Sequence, residues 1–254
     1  MKYLIVVCLL AFSLHAQQVP PPPACAPQWS YGGYTGPQQW HRWGPLCGDG
    51  ERQSPVDLRW RGNGSGDRVQ VRYEDTLAKV ENNGYEIRVS PTTPLSAGFI
   101  VIGTSQRAFL VQFHIHTPSE HLIMGQRYPA ELHLVHEIAG STDLAVIGVP
   151  ITIGDGNAGL NGLFEPLTAA LCQPPDTRTI SFSRILENVT LKNYLTYPGS
   201  LTTPGCAQNV TWYIPLFVDM TLTQAQFDRL RALGENARPL QPLKGRIIRY
   251  VTAQ

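Results

Sequence analysis

The sequence predicts a mainly β chain of the α+β type, folded as one domain. Three observations carry this. Apolar and polar residues alternate over many short runs, the period of a half-buried strand. The 23 glycines and 21 prolines are scattered, which supplies turns but no linker inside 29–254. Only two segments, Asn161–Leu171 and Gln224–Leu233, carry a helical pattern.

Taken from the N-terminus, the first segment reads as an address rather than structure. Lys2 precedes an apolar stretch from Tyr3 to Leu14, and Ala16 offers a small residue for cleavage. Residues 1–17 therefore read as a secretory signal peptide, too short to span a bilayer. Residues 18–28 are Pro-rich and read as an extended lead-in. Strands are expected at Val69–Tyr73, Tyr85–Ser90, Phe99–Ile102, Ala108–His116, Ala130–Ile138, Leu144–Ile153, Thr179–Phe182 and Val210–Val218. The continuous apolar run from Leu144 suits a strand buried on both faces. Asn83-Gly84 is a turn signal before Tyr85. The second helix opens on Thr223 with Gln226 three residues on, a capping box. Arg246–Gln254 carries no apolar tail, so no membrane anchor is expected.

Composition narrows the function. The 254-residue chain is 43% hydrophobic, ample for a core. It is only 15% charged with a net charge of +1, so neither disorder nor nucleic-acid binding is expected. Removing Cys8 with the leader leaves Cys25, Cys47, Cys172 and Cys206, an even set with three possible pairings. Asn63, Asn188 and Asn209 open N-x-S/T sequons and are candidate glycosylation sites. Together these features place the protein outside the cell or in the secretory lumen.

Five of the histidines fall between residues 114 and 136. His114 and His116 flank Ile115 on one strand, so both imidazoles share a face. On the next strand His133 and His136 take opposite faces. If the two strands pair antiparallel, His133 meets His114 and His116. Three imidazoles with an open fourth position form a catalytic rather than a structural metal site. Gln112 and Glu131 each lie two residues before a histidine of the tripod, placed to accept a ring N–H. His121 and His136 read as structural, satisfied by nearby carbonyls, and His41 as a surface or packing residue. The spacing His114-x-His116-x₃-Glu120 also fits a cupin-type manganese site with Glu120 as ligand, but no second glycine-rich motif supports it.

Several longer blocks carry a resemblance. They include Trp29-Ser-Tyr31, Gln53-Ser-Pro-Val-Asp57, Asn82-Asn83-Gly84, Gln112-Phe-His-Ile-His116, Ser119-Glu-His121, Tyr128-Pro-Ala-Glu-Leu-His-Leu-Val-His136, Tyr197-Pro-Gly-Ser-Leu-Thr-Thr-Pro204 and Arg238-Pro-Leu-Gln-Pro-Leu-Lys244. In these blocks the chain resembles the α-class carbonic anhydrases over essentially all of 29–254.

The resemblance implies a large, mostly antiparallel, ten-stranded twisted sheet with a few short peripheral helices. It implies Zn²⁺ on His114, His116 and His133, supported by Gln112, Glu131 and a main-chain carbonyl near Gly245. The activity implied is reversible hydration of CO₂ to bicarbonate by a zinc-bound hydroxide. Anions and sulfonamides are then the expected inhibitors. Thr202 and Glu120 match the pair that orients the nucleophile. Val135, Val146, Leu201, Thr203, Val210 and Trp212 match the substrate pocket. Cys47 and Cys206 match the disulfide of secreted members, leaving Cys25 and Cys172 as a possible second pair. One position departs: Tyr85 stands where the family often has a proton-shuttle histidine. A phenol of pKa ~10 carries protons poorly at neutral pH, so turnover limited by buffer is expected.

Overall fold

The computed structural model describes residues 28–61, 64, 66–161, 175–187 and 189–252. The leader, most of the lead-in, Cys25, Cys172, Asn63, Asn188 and nearly all of the helix expected at 161–171 lie outside these residues.

Fourteen strands are described. They are β1 (Asp57–Leu58), β2 (Val69–Tyr73), β3 (Thr76–Asn82), β4 (Ile87–Pro91), β5 (Gly98–Ile102), β6 (Gln106–His116), β7 (Leu122–Ile123), β8 (Ala130–Ile138), β9 (Leu144–Ile153), β10 (Asp176–Ile180), β11 (Asn193–Gly199), β12 (Val210–Pro215), β13 (Thr221–Leu222) and β14 (Arg249–Thr252). Twelve join one twisted sheet, whose main path runs β10-β3-β4-β6-β8-β9-β12-β11-β14, with β2, β5 and β13 off that path. Neighbours on the path are antiparallel except β9 and β12, which run parallel. Short helices lie outside the sheet: α1 (Leu46–Asp49), α2 (Ala158–Asn161), α3 (Phe182–Ile185) and α4 (Gln224–Ala232). The expected capping box opens α4, with Gln226 N–H donating to Thr223 Oγ1 and Thr223 N–H to Gln226 Oε1.

The eight expected strands are all present, three of them (β2, β8 and β9) with the expected bounds and five with shifted ends. Tyr85 and Glu86 stay in the turn before β4, because Asn83 Oδ1 accepts both of their N–H groups. Phe182 opens α3 instead of closing β10, and β12 ends at Pro215. Strand β11 was hidden by Pro198. That proline lies past the last β14 partner, at Thr196, so its missing N–H leaves no gap in that ladder.

The sheet buries both faces at its centre. On β8, Leu132 and Leu134 enter one core with Leu110, Phe113 and Ile147. Val135 enters the other, with Val146, Tyr197, Trp212 and Ile214. Strand β6 changes parity on the way. Leu110 pairs with His136 but Gln112 pairs with Val135, so Val111 is an extra residue, a β-bulge. Ala108 and Leu110 thus face the first core, while Gln112, His114 and His116 face the second side. Without the bulge an unbroken alternation would turn the histidines into the apolar core.

Cys47 and Cys206 form a disulfide, across 159 residues. Asn209 is half-buried, and its Nδ2 donates to the Thr142 carbonyl rather than pointing freely outward. No helix among the described residues is long and apolar enough to cross a membrane.

Candidate metal centre

The antiparallel β6–β8 register sets His114 directly opposite His133, and His116 opposite Glu131. The ring centroids lie 4.8 Å (His114–His116), 5.2 Å (His114–His133) and 4.6 Å (His116–His133) apart. Each ring has one nitrogen fixed by an acceptor. His114 Nδ1 meets Gln112 Oε1 at 2.8 Å, His116 Nδ1 meets the Asn236 carbonyl at 2.6 Å, and His133 Nε2 meets Glu131 Oε1 at 2.8 Å. Those acceptors place the ring protons outward, so His114 Nε2, His116 Nε2 and His133 Nδ1 turn lone pairs inward. One ligand atom from each ring lies within 4.8 Å of the others. Burial lowers all three pKa values, most strongly that of His114, which favours the neutral imidazole a metal requires. His116 Nε2 is buried with no hydrogen-bond partner among the described residues. That orphaned atom fits a metal ion.

The support of His116 is a correction to the sequence reading. The carbonyl belongs to Asn236, not to the neighbourhood of Gly245. Asn236 does more than accept: its Oδ1 takes the Thr117 N–H, and its Nδ2 donates to the Ile115 and Tyr85 carbonyls. His121 also departs from expectation. It is bound by a carboxylate and a phenol, not by carbonyls: Nδ1 meets Glu131 Oε1 at 2.7 Å and Nε2 meets Tyr197 Oη at 2.6 Å. Glu131 Oε2 accepts the Glu120 and His121 N–H groups. Burial alone raises the Glu131 pKa, but His121 and His133 and their hydrogen bonds hold it well below the usual range. His136 is structural as expected. Its Nδ1 meets the Ala145 carbonyl and its Nε2 the Tyr73 hydroxyl. His41 is exposed.

Glu120 is fully buried beside the tripod, with Oε2 3.5 Å from His116 Nε2 and 3.9 Å from His133 Nδ1. Its Oε1 accepts the Arg238 N–H at 2.8 Å. Burial pushes this carboxyl up to about 7, opposed by His133, by a hydrogen-bonding contact of Thr202 and by Arg238. Among the described residues Oε2 has no partner within close hydrogen-bond geometry.

A cavity of about 120 Å³ opens onto His114 and His133. Val135, Val146, Leu201, Thr202, Thr203 and Trp212 line it, all expected. Val210 does not. It is buried behind them, packed with Val146 and Trp212. Glu86 and Arg88 line the cavity too, and the sequence reading missed both. Arg88 stands opposite His114 in the β4–β6 register, so pairing β4 with β6 was the signal to use. Tyr85 turns away from the tripod. Its ring stacks on Trp29 at 3.8 Å, and its hydroxyl accepts the Gln28 N–H at 2.7 Å.

Three imidazoles around one point, reached through a half-apolar cavity, define the class of an open, catalytic-type metal site on a twisted β-sheet. The comparisons narrow the class. Residues 35–252 match the family model described as eukaryotic-type carbonic anhydrase. A carbonic anhydrase of Neisseria gonorrhoeae is 34% identical over 231 residues, covering 87% of this chain and 86% of the relative. A solved hyperthermostable carbonic anhydrase from an active hydrothermal vent chimney superposes with a TM-score of 0.77 at 35% identity, covering 88% of this chain and 99% of that one. The α-carbonic anhydrase of Thermovibrio ammonificans, solved with the inhibitor sulfanilamide, gives 0.71 at 29%, covering 87% and 97%. The chain belongs to the α-class carbonic anhydrase family, the carbonate dehydratases, and so to enzymes that hydrate CO₂.

Proposed function

We propose that the protein catalyses reversible CO₂ hydration with one Zn²⁺ held by His114 Nε2, His116 Nε2 and His133 Nδ1. The observation that carries this is the set of three rings, each fixed on its outer nitrogen and open on its inner one. Zinc, when bound, supplies a Lewis acid that brings the pKa of a water from 15.7 toward ~7 and favours the ionised form of Glu120.

The chain's own residues do the rest. Ionised Glu120 only accepts, so the Thr202 hydroxyl donates to it. The Thr202 oxygen is then left to accept a proton-bearing group in the cavity, fixing the orientation of the attacking oxygen. Val135, Val146, Leu201 and Trp212 form a dry wall for the apolar substrate. The stacking of Tyr85 on Trp29 keeps it off the cavity, so it offers no relay there. Protons therefore leave to buffer.

The same reading extends to inhibitors and location. Anions and sulfonamides are the expected inhibitors, the latter on the precedent of the sulfanilamide-bound relative. The Lys2–Ala16 leader and the Cys47–Cys206 bridge support secretion.

Stopped-flow CO₂ hydration tests the reading. Activity is expected to vanish on zinc chelation and return on zinc addition. It is expected to rise with imidazole concentration, and Tyr85→His to raise the low-buffer rate severalfold. Full activity in the chelated protein would sink the zinc assignment. Buffer-independent turnover would sink the account of Tyr85.

A further inference from the structure

Glu86 is a carboxylate with half of its hydrogen bonding missing. Its side chain is only 1% exposed. Oε1 is taken by Arg88, through Nε at 2.8 Å and Nη2 at 2.6 Å. Oε2 is buried with no hydrogen-bond partner among the described residues, and lies 3.6 Å from His114 Nε2, the nitrogen turned toward the tripod. Both Glu86 and Arg88 line the cavity. The pair is also held from behind. Glu86 N–H donates to Asn83 Oδ1, its carbonyl accepts the Asn83 N–H, and β4 fixes Arg88 opposite His114.

This carboxylate is not a fourth ligand. It does not fall within the common reach of the three imidazoles, which form that group by themselves among the described residues. Nor does it support a ring proton, since Gln112 already does that for His114. Its second oxygen, 3.6 Å from His114 Nε2 in a residue that lines the cavity, lies close to the point the three imidazoles surround. A negative charge there acts on charged occupants and leaves neutral ones almost untouched. Arg88 is 38% exposed on its side chain and sits toward solvent, so the inner end of the pair is the anionic one.

We infer that Glu86, restrained by Arg88, is a specificity-determining residue that weakens binding of anions in the metal cavity relative to neutral molecules. The inference rests on the CO₂-hydration reading and deepens it: the substrate is neutral, and the product bicarbonate is an anion that has to leave. Removing the carboxylate charge takes away the repulsion and also frees the Arg88 cation. Removing Arg88 leaves the repulsion unopposed. The two changes therefore act in opposite directions.

The test uses cobalt-loaded protein and azide as probe, with the visible absorption of the cobalt site as readout rather than activity. Glu86→Gln keeps the shape and removes the charge, and is expected to tighten azide about tenfold or more, equivalent to roughly 1.4 kcal/mol. Arg88→Gln is expected to weaken azide severalfold. Unchanged azide affinity in both variants, or weakening in both, would overturn the inference. Failure of the unsubstituted protein to take up cobalt would overturn the metal-site reading, and this inference with it. Normal uptake with unchanged azide affinity would overturn this inference alone.

Discussion

Glu131→Gln separates holding the fold from holding the metal. The carboxylate accepts four hydrogen bonds: His121 Nδ1 at 2.7 Å and His133 Nε2 at 2.8 Å on Oε1, then His121 N–H at 2.8 Å and Glu120 N–H at 3.0 Å on Oε2. An amide has one accepting and one donating end. The backbone N–H groups cannot change, so the amide oxygen must stay with them. The amide nitrogen then faces two imidazoles, which can change tautomer. His133 moves its proton from Nε2 to Nδ1, the nitrogen that faces the tripod. The metal-free fold stays nearly satisfied, and a stability loss below about 2 kcal/mol is expected. Binding zinc forces the proton back to Nε2, against an amide N–H₂. That buried donor–donor clash costs about 1–3 kcal/mol, or roughly ten- to hundredfold in affinity. Urea unfolding of the metal-free protein and chelator-competed zinc titration read the two quantities separately. A large stability loss with unchanged zinc affinity would refute the tautomer argument.

Three further outcomes follow from the same geometry. Burial holds His136 at about 4 against 6.5 for a free imidazole, so the unfolded state binds the extra proton. Its contribution is complete above pH 6.5 and lost as pH falls toward 4, by roughly 3 kcal/mol. His136→Gln is thus expected to flatten that acid limb in urea unfolding at a series of pH values, and an unchanged limb counts against it. Opening the Cys47–Cys206 bridge with a double serine variant frees a loop of 159 residues and is expected to cost about 5 kcal/mol, read from the urea midpoint. Gly148→Ala places a Cβ 2.6 Å from Ile214 Cδ1 and 2.9 Å from Glu131 Oε1. It is expected to cost about 1–3 kcal/mol and to loosen zinc as well, whereas a purely steric effect on the core would leave zinc affinity intact.

The tripod was legible because its determinants are local. His114 and His116 share a face by strand periodicity alone, and Gln112 and Glu131 sit two residues from the rings they hold. The bulge at Val111 was not legible, since nothing in Phe109–Phe113 marks which residue drops out of register. Glu86 and Arg88 were missed because their role depends on β4 lying beside β6, a pairing that alternation within either strand does not reveal. Val210 was misplaced by one layer: it is buried and apolar like the wall residues, and burial does not say which side of Trp212 a side chain takes.

The residues hardest to read hold the most together. Asn236 lies 120 residues from His116 in sequence. Arg238, two residues on, donates its N–H to Glu120. Its guanidinium donates to Gln53 Oε1 and to the Ser54 and Cys47 carbonyls. Residues 236–238 therefore fix a ligand ring, the carboxylate beside Thr202 and the Cys47–Ser54 segment at once. Two of these contacts come from main-chain atoms, the Asn236 carbonyl and the Arg238 N–H. Side-chain exchange at either position leaves the donor or acceptor in place, and only a shift of the segment itself removes it. Precision at the tripod thus depends on where this late segment docks. Its docking in turn depends on the Gln53–Ser54 contacts and the bridged Cys47, which belong to the opposite end of the chain.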